Sequence, residues 1–530
     1  MKSLMKRVFA AAAAIATVFG LAATTVATAN AADNATLTVS TTDAKFAGKT
    51  VNAYKMFSAT VSGDGKAVSY TLTDEWKPFF EKSVGLTGVT SENVNDKAND
   101  YVSKLQGEDL VAFATKASNW AQTTANNIAA GATATVSAGA SNGKYTATFA
   151  GLDYGYYVVA VPGATLANTS GQYATLVSVD RANVTADIKG DLPTVDKKVQ
   201  VGSTGKDVTD AKIGDTLIFT LTSTIPDMSA YDTYTFNFKD TLSQGLTFGQ
   251  VTSVTVEGAT NPLTVGTDYT VTTPTASDNT LTVAMKDFKA KQQANAGKKI
   301  TVTYTATLNE NAVVGGAGNT NSAKIQYSNN PSTNETGESE PSKVRVFTYG
   351  FTVDKYTGDE YTAAATRLAG AEFTLAPKGG TAISFVQVDA GSETANAEYR
   401  VAKTGEKGAT TTIITPASGK VVFQGLKNGE YTLTETKAPA GYNKLASAIG
   451  VKVNGQNDGT DTTNAAVIIT YNNNNGSNYD QTASNGVIPV QNKSGAILPG
   501  TGGMGTIAFT VIGVLVIALG VAWTLKRKNA

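Results

Sequence analysis

Several runs rich in Thr and Val alternate apolar and polar residues, and some of their apolar faces carry groups that ordinarily avoid a core. In the run from Pro193 to Val199 one face reads Val195, Lys197, Val199. From Tyr234 to Leu242 one face reads Tyr234, Phe236, Phe238, Asp240, Leu242, and Asn321 shares a face with Ala323, Ile325 and Tyr327. The pattern returns further on: Val353 with Lys355, Tyr431 and Leu433 with Glu435, Ile488 and Val490 with Asn492. Burying a lone charge is costly, so such a set needs a reason. Apolar surroundings lower a lysine's pKa and raise a carboxyl's. The amine becomes a nucleophile, while the acid keeps its proton and can polarise an asparagine amide. Attack on that carbonyl with loss of ammonia gives a Lys–Asn isopeptide bond, the acid serving as proton shuttle and hydrogen-bond donor. The competing reading is of ordinary buried ion pairs or exposed edge residues. In the first set Asn319 competes with Asn321, and Asp215 or Asp232 with Asp240.

Other chemistries are thinly provided for. The 530 residues include no cysteine and no histidine, which removes disulfides, thiol nucleophiles, Ser–His–Asp triads and the usual transition-metal ligands. No metal and no cofactor is expected, although a carboxylate site for Ca²⁺ needs no local motif. Forty-three basic and 43 acidic residues balance, so nothing marks a nucleic-acid surface. Charged residues make up only 16%, against about 25% for an ordinary soluble domain. The polar surface must fall to Thr, Ser, Asn and Gly, which suits exposed antiparallel sheet.

The elements that position these residues are mainly strands. Ile300, Val302, Tyr304, Ala306 and Leu308 keep a period of two, and Tyr145 to Val159 is similarly strand-like with glycines. Residues 92–130 dissent, with Val102, Leu105, Leu110, Phe113, Ala117 and Trp120 at helical spacing. An internal repeat sets Phe149, Gly151, Leu152, Gly155 and Tyr157 against Phe423, Gly425, Leu426, Gly429 and Tyr431, each read as strand, glycine turn, strand. With Pro193 and the Asn329–Pro341 segment as linkers, the division is 32–190, 191–345 and 346–497. The fold class is mainly β: tandem immunoglobulin-like sandwiches, the first domain with helical insertions.

The two ends read as addresses. Lys2, Lys6 and Arg7 precede an Ala-rich apolar run, and Ala29-Asn30-Ala31 offers a cleavage site, so 1–31 is a signal peptide. Residues 498–530 hold Leu498-Pro499-Gly500-Thr501-Gly502, an uncharged run from Ile507 to Leu525, and Lys526-Arg527-Lys528. That run of about 28 Å is enough to cross a membrane as a helix, with the basic tail on the cytoplasmic side. In this order the pentapeptide, span and tail resemble the LPXTG-type cell-wall sorting signal of Gram-positive surface proteins. The resemblance implies sortase cleavage between Thr501 and Gly502 and transfer of the Thr501 acyl group to an amine. Loss of three basic residues at each end leaves 37 basic against 43 acidic, a balance favouring solubility outside the cell.

Tyr431-Thr432-Leu433-Thr434-Glu435 through Ala438-Pro439 to Gly441-Tyr442 resembles the E-box of sortase-assembled pilins. Phe373-Thr374-Leu375 after Leu368 to Glu372 resembles the second strand of the B-type collagen-adhesin (CNA-B) repeat, and the likeness covers nearly the whole chain. It implies CNA-type domains with Lys355–Asn492 bonded under Glu435, and Lys197–Asn321 under Asp240. The first domain lacks an E-box, so no bond is expected there. The resemblance further implies a joining lysine at the end of the first domain, in a motif often ending Tyr-Pro-Lys. Here Asn183 to Lys189 ends Asp-Ile-Lys, with Val184, Ala186 and Ile188 on the apolar face and Lys189 on the solvent face. Lys198, also solvent-facing, competes. The implied protein is a structural shaft subunit of a wall-anchored pilus and no enzyme. Its partners would be pilin-specific and housekeeping sortases, identical subunits and peptidoglycan; a tip subunit and a host surface ligand stay open. The rivals are a monomeric wall-anchored adhesin and a wall-tethered glycosidase.

Overall fold

The computed structural model describes residues 34–63, 65–165, 174–331, 334–456, 466–474, 476, 478–495 and 504–528. The expected signal peptide, 1–31, and the Leu498–Gly502 pentapeptide lie outside these residues. Strand makes up 45% and helix 15%, so the architecture is mainly β, built of sandwiches with a few helices.

The described chain forms two compact units. One runs up to Tyr349 and takes in Gly425–Asn428 and Gly455–Val467; the other holds Gly350–Gln424, Gly429–Asn454 and the residues from Ile468 on. The first unit contains two pairs of sheets. In one pair, Ala35–Thr41 lies between Tyr145–Leu152 and Asn183–Asp187, facing a sheet centred on Thr50–Val61 and Gly155–Ala160. In the other, Asp196–Val201, Thr216–Thr224, Lys299–Leu308 and Leu246–Val256 are neighbours in that order. The opposing sheet runs Ser342–Phe347, Asn319–Ser328, Phe236–Leu242, Thr280–Met285. A further pair, made mostly of second-unit residues, sets a sheet containing Tyr349–Thr357, Lys420–Leu426 and Val487–Gln491 against one containing Glu372–Pro377, Gly429–Lys437 and Ile449–Gly455.

Helical spacing over 92–130 is realised as Val94–Ser103 and Gly107–Gln122, with a shorter helix, Lys77–Lys82, before them. Trp76, Phe79, Phe80 and Phe113 interlock edge to face or tilted, filling the space between these helices and the sheet. The Gly107–Gln122 helix packs on Gly155–Ala160. Every residue of that strand is therefore buried, and the period-two reading fails there because both faces are covered.

The repeated glycine motif is a sheet-to-sheet corner, not a hairpin. Tyr145–Leu152 pairs with Ala35–Thr41, whereas Gly155–Ala160 pairs with Thr50–Val61 and Thr175–Val179. The second copy behaves alike: Lys420–Leu426 and Gly429–Lys437 lie in different sheets. Gly151 (φ +73°) and Gly425 (φ +84°) supply the left-handed turn, and Leu152 and Leu426 drop into the core at the bend.

Parallel pairing joins distant ends of sequence. Thr36–Ser40 faces Asn183–Asp187, and Thr352–Tyr356 faces Val487–Gln491, which puts Lys355 opposite Val490. At the C-terminus, Met504–Lys528 is one 25-residue helix whose Phe509, Ile517 and Leu519 are exposed. Among helices whose side chains are described throughout, none is long and apolar enough to cross a membrane.

Close packing at one corner gives a direct test. A Cβ on Gly155 would stand 2.5 Å from the Phe57 carbonyl oxygen. Gly155→Ala is expected to destabilise this sheet by about 1–3 kcal/mol. Hydrogen exchange in peptides covering 50–61 and 155–160 should then speed up, while the Lys299–Leu308 strand stays protected.

Candidate functional site

The register of the middle sheets brings three of the anomalous residues to one place. Lys197 sits opposite Leu221, Asp240 opposite Ala323, and Asn321 opposite Leu242. The lysine strand belongs to one sheet and the acid and amide strands to the other, so the side chains meet in the core between them. All three are fully buried. Lys197 Nζ donates to Asp240 Oδ2 at 2.5 Å, and also to the Tyr304 hydroxyl at 2.9 Å. That hydroxyl donates to Asp240 Oδ2 at 2.5 Å and accepts from Asn321 Nδ2 at 2.6 Å. The amine lies 5.1 Å from the ring centroids of both Phe219 and Tyr304.

Burial pushes the Lys197 amine down to about 8 from 10.5, with Asp240 opposing the shift. Burial, reinforced by Asp240, holds the Tyr304 phenol well above its usual range, so it keeps its proton. Asp240 Oδ1 and Asn321 Oδ1 are buried without a hydrogen-bond partner. The competitors are otherwise engaged. The Asn319 side chain accepts from the Val313 N–H at Oδ1 and donates to the Val313 carbonyl from Nδ2, Asp215 caps a turn at the Lys212 N–H, and Asp232 is exposed.

The second unit repeats the composition with another layout. Lys355 and Asn492 stand on adjacent parallel strands of one sheet, and Glu435 reaches them from the opposing sheet. Lys355 Nζ is 3.2 Å from Glu435 Oε1 and donates to the Val490 carbonyl at 3.3 Å. Glu435 Oε2 accepts from the Leu445 N–H at 2.7 Å and from Asn492 Nδ2 at 3.1 Å. Asn492 Nδ2 also donates to the Asn443 carbonyl at 2.8 Å. Burial again lowers the lysine to about 8, against the pull of Glu435. Asn492 Oδ1 is buried and unpartnered.

In both clusters the acid is connected to the nitrogen of the asparagine amide, directly or through Tyr304, and not to its oxygen. The missed residue is Tyr304. Its inward place on an alternating strand looked merely apolar, yet a buried tyrosine hydroxyl needs a partner, and that was the available signal. Asp354, next to Lys355, is also buried; it pairs with Arg367 Nε at 2.7 Å and accepts from Tyr361 at 2.8 Å. Lys189 is about a third exposed, with Asp187 at 3.8 Å. Lys198 is similarly exposed but held by Asp207 at 2.6 Å and Asp196 at 3.1 Å. Among the described residues no cluster of three or more acidic side chains could hold a metal.

A β-sandwich chain with a lysine, an acid and an asparagine buried together in two of its cores is thus defined, and known proteins are similar to it. Residues 213–331 match the Gram-positive pilin backbone subunit 2, Cna-B-like domain family, and residues 361–467 the prealbumin-like fold domain family. The trypsin-resistant surface T6 protein of Streptococcus pyogenes serotype M6 is 26% identical over 449 residues, spanning 81% of this chain and 74% of that one. Fimbrial subunit type 2 of Actinomyces naeslundii is 30% identical over 251 residues, 43% of this chain and 45% of its own length. The solved T6 backbone pilin of S. pyogenes overlaps 88% of this chain and 99% of its own, at 19% identity and a TM-score of 0.45. The chain is thus similar, over these two stretches, to a Gram-positive pilin backbone domain and to a prealbumin-like fold domain.

The lysine shift has a signed consequence. The folded chain releases the Lys197 proton near pH 8 and the unfolded chain near 10.5. Unfolding takes up a proton between these values, so stability rises with pH across the window and levels off above it. An Asn321→Ala chain, with its lysine left free, is expected to gain stability from about pH 8 to 10 relative to Lys197→Met/Asn321→Ala. Urea midpoints measure this; a pH-independent difference would mean the amine is not depressed.

Proposed function

We propose that the chain is the structural shaft subunit of a covalent, wall-anchored pilus, with 32–190, 191–345 and 346–497 as its domains. The observation that carries the reading is the recurrence of a desolvated lysine against an acid and an asparagine in two separate sandwiches. An isolated buried ion pair is poor value for stability; a pair that is consumed in forming an amide is not subject to that objection. Lys197–Asn321 under Asp240 and Lys355–Asn492 under Glu435 are the bonds. They would staple domains that have no cysteine. The relatives' names support assembly into fimbriae.

Polymerisation is the work of a separate sortase. It cleaves between Thr501 and Gly502 and passes the Thr501 acyl group to an amine of the next subunit, and a housekeeping sortase attaches the last subunit to peptidoglycan. Lys189 is the better candidate amine, because its acidic neighbour stands beyond hydrogen-bond reach while Lys198 is clamped by two aspartates. Joining one end of a subunit to another part of the next makes a heterologous contact that does not close, hence a filament. The exposed apolar stretch from Phe509 to Leu525 of the last helix supports an anchor that holds the chain until transfer.

The recombinant chain is expected to weigh about 34 Da less than its sequence, one ammonia for each bond, with tryptic peptides joining Lys197 and Lys355 to their asparagines. An unaltered mass would end the cross-link reading. In a sortase-competent host, Lys189→Arg is expected to collapse a ladder of covalent oligomers to monomer. A ladder that persists in Lys189→Arg and disappears in Lys198→Arg would move the joint to Lys198.

A further inference from the structure

The two clusters differ in how the acid reaches the amide. Glu435 touches Asn492 Nδ2 itself, at 3.1 Å. Asp240 is one methylene shorter, and the Tyr304 hydroxyl stands between it and Asn321, 2.5 Å from the carboxyl and 2.6 Å from Nδ2. The same oxygen accepts from Lys197 Nζ at 2.9 Å. It therefore contacts the nucleophile, the acid and the nitrogen that must depart. Stacking on Phe219, with centroids 5.3 Å apart and planes 17° from parallel, fixes the ring. Only rotation about the C–O bond is left to the hydroxyl, which can both accept and donate.

We propose that Tyr304 is a catalytic residue of the middle domain, relaying a proton from Asp240 to the departing Asn321 nitrogen. This rests on the Lys–Asn bond proposed above. Asp240 first takes one proton from the Lys197 ammonium, leaving a neutral amine and a neutral acid. The Nζ lone pair attacks Asn321 Cγ and forms the new C–N bond while the carbonyl π pair moves onto Oδ1. Asp240 then donates to the Tyr304 oxygen while the hydroxyl proton turns to Nδ2. The Oδ1 pair re-forms the carbonyl as the Cγ–Nδ2 bond breaks, the bond's electron pair leaving with the nitrogen as ammonia, and the Asp240 carboxylate takes the surplus proton from Nζ. Tyr304 ends as it began, and one proton of the original ammonium stays on Asp240. The last domain needs no such relay, since its acid already meets the amide nitrogen.

The test follows the full chain from cell-free translation, denatured and digested at intervals, with both cross-linked peptides measured in each sample. Tyr304→Phe is expected to slow the Lys197–Asn321 peptide on the order of 10²-fold, the usual share of a positioned acid–base group. The Lys355–Asn492 peptide should appear at the unaltered rate and so report normal synthesis. Placing 3,5-difluorotyrosine at position 304 keeps the ring and changes only its acidity. A proton relay must change rate with it, whereas a spacer would not. An unaltered Lys197–Asn321 rate in Tyr304→Phe, or with difluorotyrosine, overturns the relay. Absence of that peptide from the unsubstituted chain would instead overturn the cross-link reading for this domain.

Discussion

An amine taken out of water governs this molecule. Lys197 and Lys355 each lie at zero exposure in a sandwich core, where the ammonium form loses its hydration and one carboxylate restores only part of it. Everything around them follows from that deficit: the acid at hydrogen-bond distance, the aromatic faces near the amine, and the amide whose oxygen has no partner. A polar set so incompletely satisfied is a liability if it is permanent. It becomes intelligible as a state before reaction, because forming a neutral amide removes both the buried charge and the unmet hydrogen-bonding capacity.

The two clusters share chemistry and differ in architecture. In the middle domain the lysine and asparagine strands belong to opposing sheets, so a bond between them would pin one layer to the other. In the last domain they are parallel neighbours in a single sheet, and a bond would lock an existing register in which Lys355 already faces Val490. Acid length tracks this difference. Glutamate spans the core from the opposing sheet to the amide, whereas aspartate, rooted beside the asparagine strand, turns to Tyr304.

Much of this was legible in the residues because strand alternation is a strict code: a charge at an inward position is conspicuous without coordinates. That is why Lys197, Asp240, Asn321, Lys355, Glu435 and Asn492 could be picked out and are found buried in two groups. Tyr304 escaped because an aromatic residue on an apolar face breaks no pattern, and its significance lies wholly in what its hydroxyl meets across the core. The glycine turns were legible, but not the sheets they connect. A turn between two strands has the same local signature whether the strands pair or part, and only the sheet partners, distant in sequence, decide. Gly155–Ala160 lost its alternation because a helix covers the face that would have met solvent.

The parallel pairing of first and last strands has a mechanical consequence within each domain that has it. Ala35–Thr41 and Asn183–Asp187 run side by side in the same direction, as do Tyr349–Thr357 and Val487–Gln491. The chain therefore enters such a domain at one end of the strand pair and leaves at the other. A pull on the chain draws the two strands past each other along their length, in shear. Five facing residue pairs in each case then share the load at once, where an antiparallel pair held at one end would peel open one pair at a time.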